Sequence, residues 1–69
     1  MKYPKPIKQE CGCKVSWFYY DNQADALRAS DIAEAEAIEL EKEGFDWGYQ
    51  TPGAIEYNPT QNLYRVTTP

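Results

Sequence analysis

Gln23-Ala24-Asp25-Ala26-Leu27-Arg28-Ala29-Ser30-Asp31-Ile32-Ala33-Glu34-Ala35-Glu36-Ala37-Ile38-Glu39-Leu40-Glu41-Lys42-Glu43-Gly44 holds no Pro, Val or Thr, and its one Gly is the last residue. Ala, Glu and Leu dominate it, and these are strong helix formers, so one long helix is predicted over 23–43. Asp21 and Asn22 stop the preceding run and offer N-cap side chains. Asp25, three residues after Asn22, approximates a capping box and suits the positive end of the helix dipole. Gly44 stands where a left-handed C-cap belongs.

At 100° per residue, Ala26, Ala29, Ala33, Ala37 and Leu40 share a face whose small side chains let the helix lie close on a sheet. Ala24, Leu27, Ala35 and Ile38 cluster on a second arc. That stripe is either a partner or dimer interface through Leu27 and Ile38, or a sign that the helix rotates to point both at the sheet.

Before the helix, Lys14-Val15-Ser16-Trp17-Phe18-Tyr19-Tyr20 is β-branched and aromatic, which predicts a strand with aromatics on both faces. After it, Phe45-Asp46-Trp47-Gly48-Tyr49-Gln50 alternates large aromatic with small or polar residues, the period of a half-buried strand. Thr51-Pro52-Gly53 reads as a turn, Ala54–Tyr57 as a short strand, Asn58–Asn62 as a hairpin loop and Leu63–Thr67 as the closing strand. Residues 1–12, with Pro4 and Pro6 among lysines, lack periodicity and are expected to form an extended or mobile arm on a core spanning 13–69. The expected fold is a single α+β domain of order β-α-β-β, with the middle strand open to degradation into a loop. A small antiparallel sheet of three to four strands would carry one long helix on one face. Trp47, Tyr49, Tyr57 and Tyr64 then form either an aromatic patch on the open sheet face or the core beneath the helix.

The chain has 69 residues, which leaves little room for a second domain or a deep active site. A domain this small buries roughly 60% of its unfolded surface, so dimerisation or docking on a partner is a natural supplement. Seven Lys and Arg against eleven Asp and Glu, with no His, give a net charge of -4. This balance repels a phosphate backbone and argues against direct nucleic-acid binding or base stacking on the tyrosines. Acidity is local: residues 21–43 hold eight acids against Arg28 and Lys42, whereas residues 1–20 hold four lysines against Glu10. No apolar run approaches the ~20 residues of a membrane span, and the N-terminus lacks the apolar centre of a secretory signal. A cytoplasmic location is therefore expected.

Cys11-Gly12-Cys13 is too closely spaced for an unstrained mutual disulfide, and one chain has no evident pair of ligands to complete a zinc site. The expectation is ordinary reduced thiols, no bound metal and no cofactor. A metal shared between two chains and redox chemistry are the alternatives. The helix carboxylates show no pairing of a desolvated with a solvated acid, and nucleophile and phosphate-loop motifs are missing, so an enzyme is not expected. As a surface, however, Asp25, Glu36, Glu39 and Glu43 fall within about 60° of one another, and Glu34 and Glu41 form a second pair. These acids describe either a solvated helix face or a negative stripe that docks on basic protein, with Trp47 and Tyr49 as aromatic anchors.

With Gly44-Phe45-Asp46-Trp47-Gly48-Tyr49-Gln50-Thr51-Pro52-Gly53 following the acidic helix, the chain resembles the small accessory proteins of bacteriophages and prophages. Among them it is similar in size, acidity and organisation to the anti-CRISPR proteins. That resemblance implies a phage-encoded inhibitor working in the host bacterial cytoplasm. It would bind a CRISPR effector complex at a basic, nucleic-acid-binding surface. A homodimeric phage assembly protein is the alternative from a different class.

Overall fold

The computed structural model describes residues 2–69. Its elements run β1 (Lys8–Cys11), β2 (Ser16–Tyr20), α1 (Gln23–Lys42), β3 (Ile55–Asn58) and β4 (Leu63–Thr68). The strands form one antiparallel sheet in the order β1-β2-β4-β3, with α1 packed mainly on β4. The α+β class, with one long helix on an antiparallel sheet, is as the sequence predicts.

Local chemistry sets the helix ends. The Asn22 side chain accepts the Asp25 backbone N–H at 2.9 Å, and its amide donates to the Asp25 carboxylate at 3.1 Å. At the other end, Gly44 adopts φ +92°. There the Phe45 N–H reaches the Leu40 carbonyl and the Gly44 N–H reaches that of Glu41, the paired bonds of a Schellman cap.

The alanine face is the core face. Ala26, Ala29, Ala33 and Ala37 are buried, and Leu40 packs against the core beside them. One cluster joins Tyr20, Ala26, Ala29 and Val66, flanked by Tyr3, Phe18 and Tyr64. A second joins Val15, Ala37 and Trp47, flanked by Trp17 and Leu40. Leu27 and Ile38 are about half exposed, so the helix does not rotate to point them at the sheet.

Two expectations are corrected. First, residues 8–11 are no arm: Lys8, Gln9, Glu10 and Cys11 pair with Tyr19, Phe18, Trp17 and Ser16. The segment before them is fastened as well. The Tyr20 hydroxyl donates to the Pro4 carbonyl at 2.8 Å, the Tyr3 hydroxyl donates to Glu36, and the Tyr3 ring stands edge-on to Phe18 at 5.1 Å. Both prolines precede the first ladder bond, from the Ile7 N–H to the Tyr19 carbonyl, so neither removes a donor the sheet needs. Second, residues 45–50 form turns rather than a strand. The Asp46 carboxylate accepts the Gly48 N–H, Gly48 takes φ +66°, and the Gln50 N–H returns to the Trp47 carbonyl.

Tyrosine burial makes the fold sensitive to alkali. Burial first, then the nearby Asp25 charge, pushes Tyr20 from 10.0 up to about 12. Burial and then Glu36 raise Tyr3 further. Each folded hydroxyl holds a proton that the unfolded chain releases near pH 10. The stability this contributes is complete below pH 10 and is lost as pH climbs through the raised values. Thermal unfolding followed between pH 8 and 12 should therefore show a steep fall above pH 10. Tyr3→Phe combined with Tyr20→Phe should be less stable at pH 8 but fall less steeply; an unchanged slope would rule out these two tyrosines as its source.

Candidate functional site

Two surfaces carry the polar chemistry. On the sheet face away from α1, Lys8, Tyr19, Arg65 and Glu56 form a row across all four strands. Its charges are answered within the sheet. Arg65 lies 3.1 Å from Glu56 and its guanidinium stands 5.6 Å from the Trp17 ring, while the Lys8 ammonium is 4.5 Å from the Tyr19 ring centre. The Tyr19 hydroxyl donates to Glu10.

The expected aromatic quartet is dispersed. Trp47 is buried in the second core cluster, and Tyr64 packs on the first. The Tyr57 ring lies 4.8 Å from that of Tyr64, tilted by 44°, and is partly exposed on edge strand β3, whereas Tyr49 is fully exposed on the loop after the helix. Trp17 and Tyr19 occupy the open sheet face instead, on the side of the strand opposite Phe18 and Tyr20.

The helix acids divide by what they touch. Asp25 is tied into the N-cap and Glu36 accepts the Tyr3 hydroxyl, so both are half-buried and structurally engaged. Ile32 lies in the same arc as the row Asp25, Glu36, Glu39 and Glu43 and is 3% exposed, so this row borders the core rather than forming an unbroken stripe. Glu39, 3.4 Å from Lys42, is exposed, as is Glu43. Glu34 and Glu41 are exposed along the other margin.

A groove of about 240 Å³ opens on that margin between α1 and the loop after it, lined by Glu34, Ile38, Glu41, Trp47 and Pro52 among others. Its loop wall is not legible in the sequence alone. The Ser30 hydroxyl donates to the Gly53 carbonyl, and the Gly53 N–H donates to the Thr67 carbonyl at 2.7 Å, which pins the turn between helix and sheet. Gly53 takes φ +96°, and a Cβ there would stand 2.3 Å from Glu34 Cγ. The turn residues were recognisable, but their return to Ser30 was not.

Cys11 and Cys13 are exposed free thiols in and beside the β1–β2 turn, closed by the Gly12 N–H on the Val15 carbonyl at 2.7 Å. Among the described residues, no three His, Cys, Asp or Glu side chains converge to hold a metal ion. No helix among them is long and apolar enough to cross a membrane. The chain matches no family model, no curated protein and no solved structure. The arrangement offers an acidic helix end joined to a loop with exposed aromatic rings, a surface chemistry suited to protein docking.

Proposed function

We propose that this chain is a non-enzymatic, cytoplasmic protein-binding inhibitor that docks the C-terminal half of α1 on a basic, nucleic-acid-binding surface of a partner. The observation that carries this is the C-terminal half of a capped helix that exposes Glu39 and Glu43 on one margin and Glu34 and Glu41 on the other, followed directly by exposed Phe45 and Tyr49. Lys42 is the one cation within 34–49. Carboxylates on a rigid helix speed and orient encounter with Lys and Arg, and aromatic rings supply desolvated contact. The resemblance to anti-CRISPR proteins makes a host CRISPR-type effector complex the partner class, with the chain standing where a phosphate backbone would lie.

The test is capture with the tagged protein from lysate of bacteria carrying such a system, at low and high salt. A nucleic-acid-binding complex is expected at low salt and should be lost at high salt. Glu39→Lys with Glu43→Lys spares the Tyr3–Glu36 contact; it should cut capture about tenfold or more with little change in thermal stability. Undiminished capture by that variant would remove the electrostatic reading. Exposure of Leu27 and Ile38 favours a second reading, self-association through that face. Between them, however, lie Asp31 and Glu34, like charges that a two-fold pairing draws together. Recovery of the bait alone, at dimer mass, would favour it.

A further inference from the structure

The groove between α1 and the loop after it extends the docking reading, on which this inference rests. Its floor is apolar, formed by Ala37, Ile38, Trp47 and Pro52, and Glu34 and Glu41 stand at its rim. The two acids are two helical turns apart, roughly 10 Å along the axis. Among the described residues the ion pairs are Lys42 with Glu39 and Arg65 with Glu56, and neither involves the rim acids.

We infer that this groove receives an arginine side chain from a protein partner. Its methylene stem lies on Ile38, Pro52 and the Trp47 ring, and its guanidinium sits between Glu34 and Glu41. Three features argue for that occupant. The space of about 240 Å³ is open along one side and long enough in the helix direction to admit one extended side chain. An apolar floor beneath a carboxylate rim matches a side chain with an apolar stem and a cationic head. A planar, weakly hydrated guanidinium stacks on an aromatic ring and pairs with carboxylates better than an ammonium does. The wall is set in advance by the bonds that hold Gly53 to Ser30 and Thr67, so little ordering is left to be done on binding.

The test is an NMR titration of the ¹⁵N-labelled protein with a short unstructured arginine peptide and its lysine and citrulline counterparts. Shifts are expected at the Ile38 and Gly53 amides and the Trp47 indole N–H. The arginine peptide should bind about fivefold or more tightly than the lysine peptide, and the citrulline peptide should be silent. Glu34→Gln with Glu41→Gln should weaken binding about tenfold; Glu39→Gln with Glu43→Gln should change it less than twofold. Equal response to lysine and arginine, or shifts spread along Glu36–Glu43, would overturn the groove and leave helix docking standing. Silence toward every peptide while salt-sensitive capture persists would also overturn the groove alone, and failure of both experiments would overturn both readings.

Discussion

Trp47→Ala should destabilise the domain by about 3–5 kcal/mol, the usual cost of truncating a buried Trp. A chain of this length has roughly 3–10 kcal/mol in all, so the variant should be largely unfolded near room temperature or melt far below the parent. Trp47 is 7% exposed, packs with Val15 and Ala37, and has the Phe45 ring 4.4 Å from its own. Residues 45–50 have no strand partner, so this side chain is what anchors them to the core. Trp47→Phe should behave differently. Among the described residues the buried indole Nε1–H has no acceptor, and removing it relieves a desolvation cost of about 1–3 kcal/mol that offsets the lost area. Urea unfolding should place Trp47→Phe within about 1 kcal/mol of the parent. A loss below about 1 kcal/mol for Trp47→Ala would mean that the second cluster contributes little to the core.

Ala33→Leu should cost about 2 kcal/mol, for the opposite reason. Ala33 is fully buried on the face that α1 lays on the sheet, so added methylenes must push helix and sheet apart. Alanine and leucine differ little in helix propensity, which isolates the packing effect. In a domain of this size the loss corresponds to a fall in Tm of roughly 8–16 °C by calorimetry. Ala35→Leu, at an exposed position two residues on, should be nearly neutral. Equal melting of the two variants would show that the helix is not closely seated.

The helix was legible because its information is local. Asn22, Asp25 and Gly44 mark its ends through bonds within a few residues, and the alanines reveal the buried face by spacing alone. Strands β2 and β4 were legible for a similar reason, being aromatic or β-branched runs bounded by turn residues. Strand β1 was not. All four of its residues are exposed, so it has no apolar alternation to read, and it exists as a strand because β2 offers a free edge. The 45–50 segment shows the converse: its alternation is that of a strand, yet the Gly48 turn and the burial of Trp47 hold it as a loop that joins no ladder among the described residues.

The candidate surface divides along the same line. Composition and order alone determined an acidic helix in a small α+β domain, with aromatics following its C-cap, because charge and helix propensity belong to the residues themselves. Which acids are free was decided by the tertiary structure. Glu36 is engaged by Tyr3, 33 residues away, and Ile32 is drawn into the core from within the acidic arc. Period two would place Trp47 and Tyr49 on one side. The Gly48 turn sends Trp47 into the core and leaves Tyr49 fully in solvent. Burial depends on what the rest of the chain brings to a residue, and that information is not contained in any local stretch of the sequence.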